Sequence, residues 1–237
     1  MDFLKRFSIY YLLITFLLFL YLLGSFQFGV AKALTQLLWP VIGATIAGIV
    51  LDFIELKRFQ KPLTPFITGL IIGLVAQFGE QPLILLSISA ISMLIKFIVK
   101  LDNRHIFNPA AGGLLAGMLF LNSAPSWWSG GENIWVFLIW IPIFLLRFRR
   151  WAPMAGFLVP VVILNGINIL LSSSLLFFLS VMLIEPKTSP SDIRNGLVYG
   201  AVVGVGYLLF SQTLFDPLII SLLIGNLGAR LLAKFLI

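Results

Sequence analysis

Phe107-Asn108-Pro109-Ala110-Ala111-Gly112-Gly113-Leu114-Leu115-Ala116-Gly117 opens one apolar run of the chain, and Phe215-Asp216-Pro217, leading to Leu222-Leu223-Ile224-Gly225, opens another 108 residues later. Asn is a good helix N-cap and Pro suits the first helical position, so the first stretch reads as a helix start. A second echo joins Trp39-Pro40-Val41-Ile42-Gly43 to Trp151-Ala152-Pro153-Met154-Ala155-Gly156 at a slightly larger offset. Each half then holds five apolar runs, an odd number, so the second half lies inverted in a membrane relative to the first. The fold expected is all-α: a single transmembrane domain of about ten helices, built as two inverted five-helix repeats over residues 1–124 and 125–237. Such repeats commonly place a binding site or pathway near the midplane, beside short or interrupted segments.

The runs fall near 9–23, 34–51, 63–78, 82–99 and 107–121, then 133–148, 152–166, 169–184, 193–210 and 216–236. The 237 residues are 60% hydrophobic and 11% charged, with a mean hydropathy of +1.07, whereas a soluble domain carries roughly 25% charged residues. Lipid is the solvent that accommodates such a chain, and it forces the backbone to satisfy its own hydrogen bonds. Continuous rather than alternating apolar runs select helices over a barrel. Runs 63–78, 107–121 and 152–166 fall short of the roughly 20 residues needed to span, which marks them as tilted, broken or re-entrant.

Charge gives an independent test, because Lys and Arg gather in cytoplasmic loops. With the N-terminus inside, the cytoplasmic set holds Lys5, Arg6, Lys57, Arg58, Lys61, Lys96, Lys100, Arg104, Arg147, Arg149, Arg150, Lys187, Arg194, Arg230 and Lys234, and only Lys32 of the 16 basic residues falls outside. Glu80, Glu132 and Asp216 lie in outer loops, with Trp127, Trp128 and Trp135 at the outer interface. An even number of spans follows, with both termini cytoplasmic. The protein is expected to be a multi-pass protein of the inner (plasma) membrane whose first helix is a retained signal anchor. Its net charge of +7 is that of basic cytoplasmic loops rather than of a nucleic-acid binder.

The chain has no cysteine and one histidine, His105. Disulfides, thiolate metal sites, a cysteine nucleophile and a bis-histidine haem within one copy are thereby excluded. It has no P-loop, Rossmann glycine pattern, zinc-binding H-E-x-x-H or G-x-S-x-G nucleophile elbow. Neither a catalytic residue nor a metal site is expected; the chain is at most a subunit of an oxidoreductase (translocase).

Three features carry candidate chemistry. Exposed N–H groups and the positive dipole end at Asn108-Pro109 favour an anionic group, while the small residues behind them let a flat ligand or another backbone approach. Glu185-Pro186-Lys187-Thr188-Ser189-Pro190 fixes a turn at the end of the eighth run, and Glu185 adjoins the apolar stretch 177–184, where an ionisable residue is a functional candidate. Thr68-Gly69, Asn165, Asn168 and Asn226 put polar groups in or beside apolar runs, where they join helices or line a polar path. His105, beside Arg104 and Asp102, reads as a solvated loop histidine, and 126–131 as an outer loop with interfacial tryptophans.

In order and spacing these blocks resemble the NqrB/RnfD family, the membrane subunits B of sodium-translocating NADH:quinone reductase and D of the Rnf electron-transport complex. Thr68-Gly69-Leu70-Ile71 is similar to the family's T-G-L-L segment. Lys96, eleven residues before Phe107-Asn108-Pro109-Ala110, resembles its G-K followed by F-N-P-A. Glu185-Pro186-Lys187-Thr188-Ser189-Pro190 is similar to its T-D-P-V-T-S-P turn, and Phe215-Asp216-Pro217 leading to Leu222-Leu223 and Asn226 to its Y-P-E-G stretch ending in L-L-x-N.

The resemblance implies ten helices in two inverted halves, an architecture also seen in urea transporters. It implies flavin bound in the membrane subunit and electron transfer linked to ion movement. The flavin-binding set it suggests is Thr68, Gly69, Lys96, Asn108, Glu185, Thr188, Ser189 and Asn226, with Lys96 offsetting the charge of a phosphate or a reduced flavin. Two departures stand out: Asn122-Ser123-Ala124-Pro125, the nearest stretch to the family's S-G-A-T-like flavin-attachment motif, has no threonine, and the chain is shorter. FMN or riboflavin is therefore expected to bind noncovalently between the halves. The partners implied are the lipid bilayer, other membrane or FMN-carrying electron-transfer subunits, and quinone as an acceptor; no nucleic acid. The alternatives are a transporter or channel for a small polar solute such as a flavin, and a scaffold subunit without a ligand.

Overall fold

The computed structural model describes residues 8–59, 61–128 and 134–235, with side chains in the last helix described through residue 232. Lys5, Arg6, Glu132, residues 129–131 of the outer-loop reading and the side chain of Lys234 lie outside the described residues. Among the described residues the protein is all-α, 77% helical, with ten α-helices. These are α1 (Ile9–Phe28), α2 (Val30–Leu56), α3 (Leu63–Val75), α4 (Pro82–Ile98), α5 (Pro109–Phe120), α6 (Ile134–Phe148), α7 (Trp151–Asn165), α8 (Ser173–Phe177), α9 (Ile193–Phe210) and α10 (Pro217–Phe235). Among the described residues α1, α2 and α9 are long and apolar enough to cross a membrane; the others are shorter apolar helices. The chain divides into two compact units, one of residues 1–98 and 112–130, the other of 99–111 and 131–237.

In the first unit α2 is the central helix, packed along α1, α3 and α4. Small residues set its spacing: a Cβ on Gly43 would lie 2.6 Å from the Leu86 carbonyl oxygen of α4, and one on Gly69 of α3 would lie 2.6 Å from the Pro40 oxygen. α1 runs on to Phe28, past the end expected for the first apolar run near residue 23, and Gly24 leaves room for the indole of Trp128, which a Cβ would strike. That indole also meets Tyr21, Phe28 and Phe78, with ring centroids 5.7, 5.9 and 4.9 Å away.

Thirteen residues make α3 about 20 Å long, short of the roughly 30 Å hydrocarbon thickness. The carbonyls at its end and of the two residues that follow it are met by protein groups. Trp128 Nε1 donates to Gly73 O (2.7 Å) and Gln36 Nε2 to Gln77 O (2.6 Å). The Ser126 N–H donates to Val75 O (2.9 Å) and the Ser126 hydroxyl to Ala76 O (2.9 Å). A helix that ends within apolar surroundings needs such partners.

In the second unit α9 packs along α7 and α10. Gly196, Gly200 and Gly204 lie on one face of α9, and a Cβ on Gly200 would overlap the Pro153 carbonyl oxygen of α7. In the opposite direction, a Cβ on Gly156 of α7 would overlap the carbonyl oxygen of Leu197. The small-xxx-small spacing brings the two backbones together.

The eighth apolar run is not one helix. A 3₁₀ turn, Ile167–Leu171, precedes α8, and a π-helical turn, Phe178–Leu183, follows it with every residue buried. The stretch between α4 and α5, expected as a plain loop, contains a two-stranded hairpin, β1 (Lys100–Leu101) with β2 (Arg104–His105). Asp102 and Asn103 both take positive φ, 52° and 58°, as a two-residue hairpin turn requires. At α9 the Asp192 side chain caps the helix by accepting from Asn195 N (2.8 Å). The Asn195 hydrogen bonds hold this carboxyl below its ordinary value, so the cap is intact at neutral pH and is lost only as pH falls through that lowered value.

Candidate functional site

Helix α5 begins at Pro109 because Asn108 closes its first turn: the Asn108 Oδ1 accepts from Ala111 N at 3.0 Å. The rest of this side chain faces a carboxylate, with Nδ2 donating to Glu185 Oε2 at 2.9 Å. Its own N–H donates to Asn226 Oδ1, also at 2.9 Å. Asn226 is fully buried in the middle of α10 and spends its Nδ2 on the hydroxyl oxygen of Tyr199 at 2.8 Å. Tyr199, Asn226, Asn108 and Glu185 thus form a continuous hydrogen-bonded chain within the second unit.

Glu185 follows the π-helical turn, a feature that often marks functional sites. Its backbone oxygen accepts from Ser189 N (3.0 Å) and Ser189 Oγ (2.8 Å), which folds the turn back on itself. Thr188 Oγ1 donates to Glu185 Oε2 at 3.1 Å, so one carboxylate oxygen receives two side-chain donors. Thr188 and Ser189 are buried while Pro186 and Lys187 are exposed. The turn is held from outside by Arg150, whose guanidinium donates to Ser189 Oγ (3.2 Å), to Pro186 O (3.1 Å) and to Ser189 O. Burial lowers Arg150 from its ordinary value, and Tyr199 offsets part of that; guanidinium stays charged at any working pH. Removing one partner of such an arrangement leaves a buried polar group unpaired, which costs about 1–3 kcal/mol.

Of the residues expected from sequence, Asn108, Glu185, Thr188, Ser189 and Asn226 come together here. Thr68, Gly69 and Lys96 belong to the first unit. There the Thr68 hydroxyl donates back to Thr64 O (3.0 Å), Gly69 packs against α2, and Lys96 sits in the last turn of α4. Tyr199 and Arg150 were missed by the sequence reading. Tyr199 sits between the packing glycines Gly196 and Gly200, where a large polar side chain needs a partner; Arg150 closes a run, Arg147 to Arg150, that reads only as cytoplasmic charge.

The set offers one carboxylate, the five neutral polar side chains of Asn108, Asn226, Tyr199, Thr188 and Ser189, and a guanidinium on the outer side of the turn. Such groups can orient the hydrogen-bonding edge of a planar heterocycle. They hold no cluster of metal-ligating side chains, and none exists among the described residues. Compared with known proteins, the chain matches no family model and no curated protein.

Proposed function

We propose that this chain is an integral membrane subunit of a flavin-dependent electron-transport system of the Rnf/Nqr kind. It binds FMN or riboflavin noncovalently and relays electrons between partner subunits, coupled to ion movement. The observation that carries the reading is convergence. Three of the four sequence blocks behind the resemblance lie 108 to 226 along the chain, and their polar residues Asn108, Glu185, Thr188 and Asn226 meet in one hydrogen-bonded set. Unrelated loops and helix ends have no reason to do so. In this reading Asn108 and the Glu185–Ser189 turn anchor the polar edge of the flavin, and apolar surroundings tune its potential.

Ten membrane crossings with both termini cytoplasmic belong to the same proposal, as does the inverted repeat. The caps support the repeat: Asp216 Oδ1 accepts from Ile219 N at 3.0 Å, as Asn108 Oδ1 does from Ala111 N at 3.0 Å. So do the glycines, since Gly43 and Gly156, each three residues after a proline, both press on a leucine carbonyl of α4 or α9 within their own unit. At the offset of 108, Pro82 corresponds to Pro190, Gln77 to Glu185 and Asp216 to Asn108. Each repeat carries an amide where the other carries a carboxylate. Lys32, the exception to the charge segregation, has its Nζ 6.0 Å from the centroid of the Phe78 ring, an interfacial cation–π setting.

The test is flavin content in purified variants. Asn108→Leu and Glu185→Leu should each lower the flavin:protein ratio about tenfold or more, the loss of one charge-assisted hydrogen bond, while membrane insertion stays normal. Unchanged ratios in both would remove the site from the reading.

A further inference from the structure

We propose that the second unit binds the headgroup of an anionic phospholipid through Arg149, Arg150, Lys187 and Arg194, at helix ends that the topology proposed above puts in the cytoplasmic leaflet. Three chain segments carry these cations, and their contacts bring them together. α6 ends at Phe148 and α7 starts at Trp151, so Arg149 and Arg150 make up the whole connection. The Arg150 guanidinium donates to Pro186 O at 3.1 Å, which sets Lys187, the next residue, beside the same connection. Gly196 joins the third segment, since a Cβ there would lie 3.0 Å from both Ala152 Cβ and Pro153 Cδ. The first turns of α7 and α9 therefore touch, one led by Arg149 and Arg150, the other carrying Arg194.

The adjoining carboxylates are already engaged. Asp192 accepts from Asn195 N at 2.8 Å and from Asn195 Nδ2 at 3.0 Å, and Glu185 turns inward to Asn108 and Thr188. Four cations against these two anions leave an excess of positive charge, and Arg149, Lys187 and Arg194 are exposed. Basic residues on the cytoplasmic side follow from orientation alone; what singles out this cluster is its convergence from three segments with apolar side chains at its edge. Trp151 and Ile193 stand exposed in the same two first turns. Tryptophan beside arginine suits the headgroup level, where the ring meets the glycerol region and the charge meets phosphate. A phospholipid covers these apolar side chains with its acyl chains, which a soluble acidic partner lacks. Basic sites between helix ends on the cytoplasmic side take such headgroups, and each Lys or Arg near them is worth about a fivefold gain in affinity.

The proposal rests on the membrane crossings proposed above and not on flavin; resistance of the chain to carbonate extraction from membranes tests those crossings separately. The purified full chain in neutral detergent is titrated with dioleoylphosphatidylglycerol, and bound lipid is counted by native mass spectrometry. Binding should saturate and weaken with added NaCl, and dioleoylphosphatidylcholine should show no saturable binding. Arg149→Gln/Arg194→Gln should bind the anionic lipid about 25-fold more weakly. Lys57→Gln/Lys61→Gln, which removes the same charge from the first unit, should bind it as the parent does. Should the Arg149/Arg194 variant fail to fold, Lys187→Gln is read in its place, with about a fivefold loss. Equal loss in both double variants would reduce the effect to general surface potential, and unchanged binding in Arg149→Gln/Arg194→Gln would put the lipid elsewhere. Displacement of the lipid by millimolar inorganic phosphate would make this a site for free anions. Any of these results overturns the proposal.

Discussion

Gly200→Ala should destabilise the second unit by about 3 kcal/mol, the upper end of the usual cost of overpacking, and most of the variant should be lost from the membrane fraction. The added methyl would overlap the Pro153 carbonyl oxygen and stand 2.7 Å from Phe157 N, both backbone atoms of α7. Backbone in a packed helix cannot rotate aside as a side-chain tip can. The opposing effect is the higher helix propensity of alanine, about 1 kcal/mol, and the clash exceeds it. Gly228→Ala supplies the control, because nothing lies within 4 Å of a Cβ at that helical position; there only the propensity gain operates. Thermal unfolding of the two variants in detergent should therefore move in opposite directions. If Gly200→Ala is as stable as the parent, the close α7–α9 contact is absent.

The second large effect concerns Asn108, where Asp and Ser separate its two tasks. Both can accept from Ala111 N and keep the α5 cap, and both lose the Nδ2 donor to Glu185. Serine should then cost about 1.5–3 kcal/mol, the value of a hydrogen bond to a charged group. Aspartate should cost more at neutral pH, because it sets a second carboxylate against Glu185 Oε2, where Nδ2 stood at 2.9 Å. Two such carboxylates raise each other's affinity for a proton in the folded state. The sign follows: the extra penalty of Asn108→Asp is small below the unfolded carboxyl value and grows as pH rises through it. Unfolding midpoints across pH should show the aspartate and serine variants converging near about pH 4 and separating above it. Parallel curves would mean that Asn108 does not face the Glu185 carboxylate.

Much of this arrangement could be read from sequence, for reasons visible at particular residues. The ninth run was bounded at 193–210 because Asp192 ends a polar turn and Ser211 follows the last apolar residue, and α9 occupies Ile193–Phe210. Asn108-Pro109 announced a helix start through cap chemistry alone. The 3₁₀ and π turns of the eighth run were illegible, because 169–184 contains no glycine or proline to announce a break; burial of every residue of the π turn decides its geometry. α1 outlasted the run expected to end near residue 23, and at Gly24 a tryptophan more than a hundred residues away fills the glycine's space. At the site, Asn226 was legible because an amide in an apolar run needs a partner. Tyr199 and Arg150 were not, since their roles depend on which neighbour the fold supplies.

The flavin reading itself meets its most direct test in the spectrum of the purified parent protein. The account predicts a yellow preparation with a flavin absorption band that bleaches on addition of a reductant and returns on reoxidation, the flavin being released on denaturation because no threonine tethers it. A colourless protein that takes no added FMN or riboflavin and moves a small polar solute in liposomes would contradict it.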